Sequence, residues 1–131
     1  MRFMTIYKPG VDQETAGPPS EKRMAEMGAF INEMAAAGVL LATDGLQASS
    51  KGARVKLVDG DFVVTDGPFA ETKELIAGYA IVNVASKDEA IHWTKRFLAL
   101  MGEGESEIRL MHDFAAFDGE EARQVGAAAN R

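Results

Sequence analysis

The sequence predicts a single α+β domain in which two helices pack on an antiparallel sheet. Three observations carry this expectation. Short β-prone runs open the chain, recur through its middle and return near its end; two segments repeat apolar residues at intervals of three and four; and turn or capping residues separate these runs. The 131 residues fit one domain of ordinary size. At 47% hydrophobic and 26% charged, the composition is that of a globular protein rather than a disordered or membrane-embedded one.

Arg2 to Tyr7 is a run of Phe, Met, Thr, Ile and Tyr that ends at Lys8-Pro9-Gly10, a turn signal that stops strand pairing. Val11 to Pro19 holds Gly17, Pro18 and Pro19 among polar residues without a period and reads as a loop. Ser20 caps the helix that follows, with Glu21 at its positive end. Met24, Met27, Ile31, Met34 and Ala35 recur at helical spacing with Phe30 beside them, and Gly38 supplies a left-handed stop. At that spacing the methionines read as core packing in preference to an adaptable groove.

Val39 to Ala42 is short enough for a buried strand and runs into Thr43-Asp44-Gly45. Beyond the polar connection Ser49-Ser50-Lys51-Gly52, Ala53, Val55 and Leu57 alternate with Arg54 and Lys56, and Asp59-Gly60 turns tightly into Phe62, Val63 and Val64, which is a hairpin pattern. Leu75 to Val84, rich in β-branched and aromatic residues, reads as a longer strand. Ser86 and Glu89 form a capping box for a second helix carrying Ala90, Trp93, Thr94, Phe97, Leu98 and Met101, closed by Gly102. Ile108, Leu110, His112 and Phe114 alternate with Glu107, Arg109, Met111 and Asp113, the pattern of a last strand with one buried face. These elements define a domain over residues 1–118. The Ala- and Gly-rich end, residues 119–131, reads as a partly disordered tail.

The order strand, helix, strand, hairpin, strand, helix, strand is that of a ferredoxin-like βαββαβ core with an inserted β-hairpin. Two helices cover one face of such a sheet, and the economical cover for the other is a second subunit, a homodimer. Apolar residues of both parities, Ile81, Val82 and Val84, agree with a sheet buried on two sides.

Composition also excludes function classes. Fourteen Lys and Arg against twenty Asp and Glu give a charge of −6, which repels nucleic-acid phosphates and anionic lipid, so neither nucleic acid nor membrane is an expected partner. The chain has no cysteine, which removes disulfides, thiolate zinc sites, iron–sulfur clusters and cysteine nucleophiles. The apolar stretch at the start is too short for a signal sequence, and a cytoplasmic location is expected. No cofactor or metal is expected. Asp59-Gly60-Asp61 departs from a calcium loop at Val63 and Val64, His92 and His112 stand far apart, and Gly102-Glu103-Gly104 lacks the third glycine of a phosphate loop.

The segment from Thr65 to Glu74 crowds acids, hydroxyls and a lysine around the stiff pair Gly67-Pro68. Asp66 and Glu71 can serve as acid, base or acceptor in a substrate-facing loop; equally, Asp66 can close an Asx turn while Glu71 and Lys73 solvate the loop. Asp44 either looks into a pocket at a strand end or sets an Asp-Gly turn. Lys51 and Arg54 suit an anionic substrate, with Arg54 able to grip a carboxylate in two places, or else they are a solvated edge. His112, on the apolar parity of the last strand, either faces a cleft or is a structural histidine.

Asp66-Gly67-Pro68-Phe69, followed by Glu71-Thr72-Lys73-Glu74, resembles the signature of the DGPF branch of the YCII-related family. Ala37-Gly38-Val39-Leu40-Leu41, Gly45-Leu46-Gln47, Ser49-Ser50-Lys51-Gly52-Ala53-Arg54-Val55 and Gly78-Tyr79 resemble it in order and spacing, over a span from Arg2 to about Asp118. The resemblance implies a dimeric α+β barrel. YCII-type members elsewhere are suspected of activity through a histidine and aspartate pair with the histidine in the first helix. This chain departs from that pattern, with Met27 at the matching position and no histidine before His92, while relatives encoded beside or fused to extracytoplasmic-function sigma factors imply a regulatory association. Two functions follow as expectations. In the first, a homodimer binds a small polar metabolite in a cleft lined by the DGPF loop, with Asp66, Asp44 and Glu71 handling protons and Lys51, Arg54, Thr65, Lys73 and His112 holding the substrate. In the second, the domain is a non-catalytic regulatory or interaction module working with such a sigma factor.

Overall fold

The structure, a computed structural model, describes residues 1–10, 19–70 and 75–113. Its elements run β1 (Arg2–Lys8), α1 (Glu21–Ala36), β2 (Leu40–Gly45), a 3-10 turn (Ser49–Lys51), β3 (Ala53–Val58), β4 (Asp61–Asp66), β5 (Gly78–Asn83), α2 (Lys87–Met101) and β6 (Glu105–Leu110). The main sheet has the order β2-β5-β1-β6 with antiparallel neighbours, and β3 and β4 pair as a separate two-stranded sheet. This is the expected ferredoxin-like α+β fold, with the hairpin inserted between β2 and β5.

Local chemistry explains the helix limits. The Ser20 hydroxyl accepts a hydrogen bond from the Arg23 N–H at 3.2 Å, and Gly38 beyond the C-cap takes φ +73°. At α2 the Ser86 hydroxyl accepts from the Glu89 N–H at 3.2 Å, while the Glu89 carboxylate accepts from the N–H of Ala85, one residue before the cap. Gly102 ends α2 at φ +83°. The helices pack on one sheet face around Phe3, Phe30, Met34, Val39, Val82, Val84 and Ala90. Across the top, Arg96 donates to both carboxylate oxygens of Glu33, with Nη1 to Oε1 at 3.0 Å, and its guanidinium lies over the rings of Phe30 and Trp93 at 5.2 and 5.1 Å.

Several expectations change in detail. Thr43-Asp44-Gly45 does not turn: it continues β2, pairing with Ala80, Tyr79 and Gly78. The strand expected from Leu75 begins only at Gly78, and Leu75 is instead a fully buried plug before it. The last strand is displaced toward its N-terminus, because β1 sets its length. Phe3 pairs with Leu110, and beyond that pair only the Met111 N–H still bonds back, to the Arg2 carbonyl at 2.8 Å. His112 therefore lies past the strand and is exposed, its carbonyl accepting from Arg2 Nη2 at 2.9 Å. Phe114 and the expected tail over 119–131 lie outside the described residues. No helix among the described residues is long and apolar enough to cross a membrane.

The hairpin turn matches its chemistry: Asp59 and Gly60 have φ of 52° and 85°, the two positive values that a type I′ turn requires. Register places Val55 opposite Val64 and Leu57 opposite Phe62 on one face. All four are exposed, Phe62 to 75%.

Candidate functional site

Two places bring the singled-out residues together, and their chemistry differs. The first is the DGPF segment. Gly67 donates its N–H to the Gly52 carbonyl at 3.0 Å, Phe69 donates its N–H to the Ser49 hydroxyl at 3.0 Å, and the Arg54 guanidinium lies 4.1 Å from the centre of the Phe69 ring. A Cβ on Gly67 would stand 1.7 Å from the Ser49 carbonyl oxygen, so only glycine fits. The motif Ser49-Ser50-Lys51-Gly52 and the motif Asp66-Gly67-Pro68-Phe69 are two halves of one lock that seals the base of the hairpin.

The second place is a cleft of about 640 Å³ between the helices and the main sheet, a volume within the usual range of small-molecule sites. Strand register explains why space remains there. On the helix-facing side, successive rows across β1, β5 and β2 read Phe3–Val82–Leu40, then Thr5–Ala80–Thr43, then Tyr7–Gly78–Gly45. The first row fills the core, with Val82 only 1% exposed. The second is small, and in the third two of three positions carry no side chain, so the floor falls away from the helices. Gly78 is obligatory for a different reason: a Cβ there would lie 2.8 Å from the Asp44 carbonyl oxygen of the adjoining strand.

The walls of the cleft are mostly apolar and aromatic, with Met24, Met27, Phe30, Trp93 and Phe97 among them. Met34 is core, as expected, but Met24 at 59% exposure and half-buried Met27 border the open space. Tyr7 is held at one end by its hydroxyl, which donates to the Glu103 carbonyl at 2.8 Å, and by edge-on packing with Phe97 at 5.1 Å. Among the described residues, the charged ones lining the cleft are Arg23, from α1, and Asp44, from β2.

The structure separates the expected site residues. Asp44 borders the cleft from the edge strand β2, in register with Tyr79 and out of phase with the floor residues. Asp66 ends β4 and Thr65 precedes it, both exposed and outside the cleft lining. Arg54 is engaged with Phe69, and Lys51 Nζ donates to Gln47 Oε1 at 2.6 Å, so both serve the hairpin base. His112 is also outside the cleft lining. Glu71 and Lys73 lie outside the described residues. Sequence reasoning missed Arg23 and the small floor residues; the signal for Arg23 was a cation three residues past the cap on a methionine-rich helix. Among the described residues no group of three or more His, Asp or Glu side chains is arranged to hold a metal.

Fold and site together define a class: a ferredoxin-like α+β domain with an apolar cleft between its helices and its sheet. The YCII-related domain family matches residues 1–114, and the chain belongs to that family. It is 33% identical over 75 residues to an uncharacterised protein of Rhizobium meliloti (strain 1021), an alignment covering 57% of this chain and 60% of that relative. The chain thus spans about three fifths of the length of the curated relative it matches. Among solved structures it is similar to a 5-chloro-2-hydroxyhydroquinone dehydrochlorinase of Burkholderia phenoliruptrix AC1100 in complex with 2,5-dihydroxybenzoquinone, with a TM-score of 0.47 and 12% identity, covering 90% of this chain and 100% of that one.

Proposed function

We propose that this YCII-related domain binds a small molecule in the cleft between its helices and its sheet. The observation that carries the reading is the floor itself: one row of small residues and, beside it, a row with two glycines, in register beneath aromatic and methionine walls, leave a volume that a compact core would have filled. The ligand is more apolar than the polar metabolite expected from sequence, and the site is the cleft rather than the DGPF loop. Of the described acids considered for proton handling, only Asp44 borders this space, and its register with Tyr79 and Ile6 sets its side chain on the opposite sheet face, so the reading is one of binding and no acid–base step is assigned.

The working unit is a homodimer. Val55, Leu57, Phe62 and Val64 leave apolar surface on the order of 500 Å² in water, at the upper end of what monomers expose. The sheet face turned away from the helices adds Met4, Ile6, Tyr79 and Ile81. Burying both against a second copy approaches the ~800 Å² per partner of stable interfaces.

A thermal-shift screen of compact aromatic and aliphatic compounds tests the cleft, since a ligand at one hundred times its dissociation constant adds about 2.7 kcal/mol of stability. A hit that is lost in Ala80→Leu supports the reading, and a hit that persists in it places the ligand elsewhere. Sedimentation equilibrium tests the dimer, which fails if micromolar protein returns the single-chain mass of 14.1 kDa. A stoichiometric second polypeptide retained from the native host would favour the sigma-factor module instead.

A further inference from the structure

We infer that the cleft selects an anion, a carboxylate carried on an apolar body the size of one ring, and that Arg23 is the residue that recognises it. The inference rests on the cleft being a binding site and adds what the ligand must carry. Arg23 is half-buried in the wall of a mostly apolar cleft and forms no ion pair with any described residue. Arg96 and Arg109, by contrast, are each satisfied by a glutamate.

The guanidinium is nevertheless held. Its Nη1 donates to the Met101 carbonyl, at the end of α2, at 2.7 Å. A guanidinium has five N–H donors, so this anchor fixes the plane and leaves further donors for a ligand carboxylate. Asp44, the other charged residue among the described ones that line the cleft, does not oppose such an anion from the floor. It pairs in register with Tyr79, which pairs with Ile6, out of phase with Tyr7, Thr5 and Thr43. The rings of Phe30, Trp93 and Phe97 and the side chains of Met24 and Met27 then offer the ligand body apolar and aromatic contact.

Arg23 has a second, purely structural use that the test must separate. The last turn of α2 has no basic residue of its own, so the guanidinium also stabilises that helix end. The chain contains a single tryptophan, Trp93, and it lines the cleft, so its fluorescence reports occupancy. Titration with 3-phenylpropionate and with its neutral isostere 3-phenylpropionamide is expected to show tighter binding of the acid by about tenfold or more. Arg23→Gln abolishes that preference, while Arg23→Lys retains part of it. Equal affinity for acid and amide in the unaltered protein overturns the anion inference and leaves the cleft reading standing. A preference that survives Arg23→Gln assigns recognition to another group and also overturns it. If neither probe perturbs Trp93 at millimolar concentration, the cleft reading falls and the inference falls with it.

Discussion

Replacing Gly67 by alanine separates a structural role for the DGPF segment from a ligand-binding one. The added Cβ would stand 1.7 Å from the Ser49 carbonyl oxygen and 2.5 Å from its carbon, and both are backbone atoms that no rotamer change can clear. The 3-10 turn must move away by more than an ångström. That movement breaks the bonds from Gly67 N–H to Gly52 and from Phe69 N–H to the Ser49 hydroxyl, and it pulls Arg54 off the Phe69 ring. Two hydrogen bonds at about 1 kcal/mol each and a cation–π contact of roughly 0.5–1 kcal/mol give a loss of about 2–3 kcal/mol. For a domain of this size that lowers Tm by roughly 8 °C. Ser49→Ala removes one of the bonds and is expected to cost about 1 kcal/mol. Differential scanning calorimetry of the three proteins provides the measurement, with ligand titration alongside. Both variants should retain cleft binding, because the lock lies outside the cleft lining. A Gly67→Ala protein with unaltered Tm, or one that keeps its Tm and loses cleft ligands, would refute the reasoning.

Other outcomes follow from the same geometry. Ala80→Leu puts a large side chain on the small middle row of the floor and is expected to abolish cleft binding with Tm held or raised; a marked fall in Tm would mean the floor is already packed. Tyr7→Phe loses the bond to the Glu103 carbonyl and should cost about 1 kcal/mol in chemical denaturation, a change absent if that hydroxyl is equally well solvated. If the proposed dimer forms through the hairpin face, Phe62→Glu should convert it to monomer by sedimentation, and a dimer that survives the change excludes the hairpin from the interface. The hydrogen bonds from Arg96, and then its charge, hold the Glu33 carboxyl below the ordinary value of 4.5. A depressed folded-state pKa gives stability that is complete above 4.5 and lost as pH falls through the folded value. The stability difference between the unaltered protein and Glu33→Gln should therefore shrink below that pH, and a gap that widens on acidification would remove the Arg96 clasp as its cause.

Elements whose signals are local were legible in the sequence. Both helices announce their caps at Ser20 and Ser86, and Asp59-Gly60 specifies its turn through the conformations those two residues tolerate. Asp44-Gly45 misleads for a physical reason. Gly45 stands opposite Gly78, and the close approach of the two strands there turns a pair with turn chemistry into part of a strand. The reach of β6 depends on where β1 begins, which no window along β6 contains. The cleft was illegible for a related reason. Thr5, Thr43, Gly45, Gly78 and Ala80 are unremarkable one at a time and become a floor only when register aligns three strands. The two family motifs were legible as text, but their mutual hydrogen bonds needed the chain to return on itself.

The lock at the base of the hairpin makes the arm separable from the sheet in design. The pairing of Gly67 with Gly52 sets where β3 and β4 leave the domain, and the Asp59-Gly60 turn sets where they end. Because side chains alternate with a period of two, adding a residue pair to each strand would extend the arm and keep Val55, Leu57, Phe62 and Val64 on one side. Adding a single residue to each would turn the apolar side over beyond the insertion. Arms of graded length could thus be built on this domain while Gly78, Tyr7 and the rest of the main sheet stay where they are.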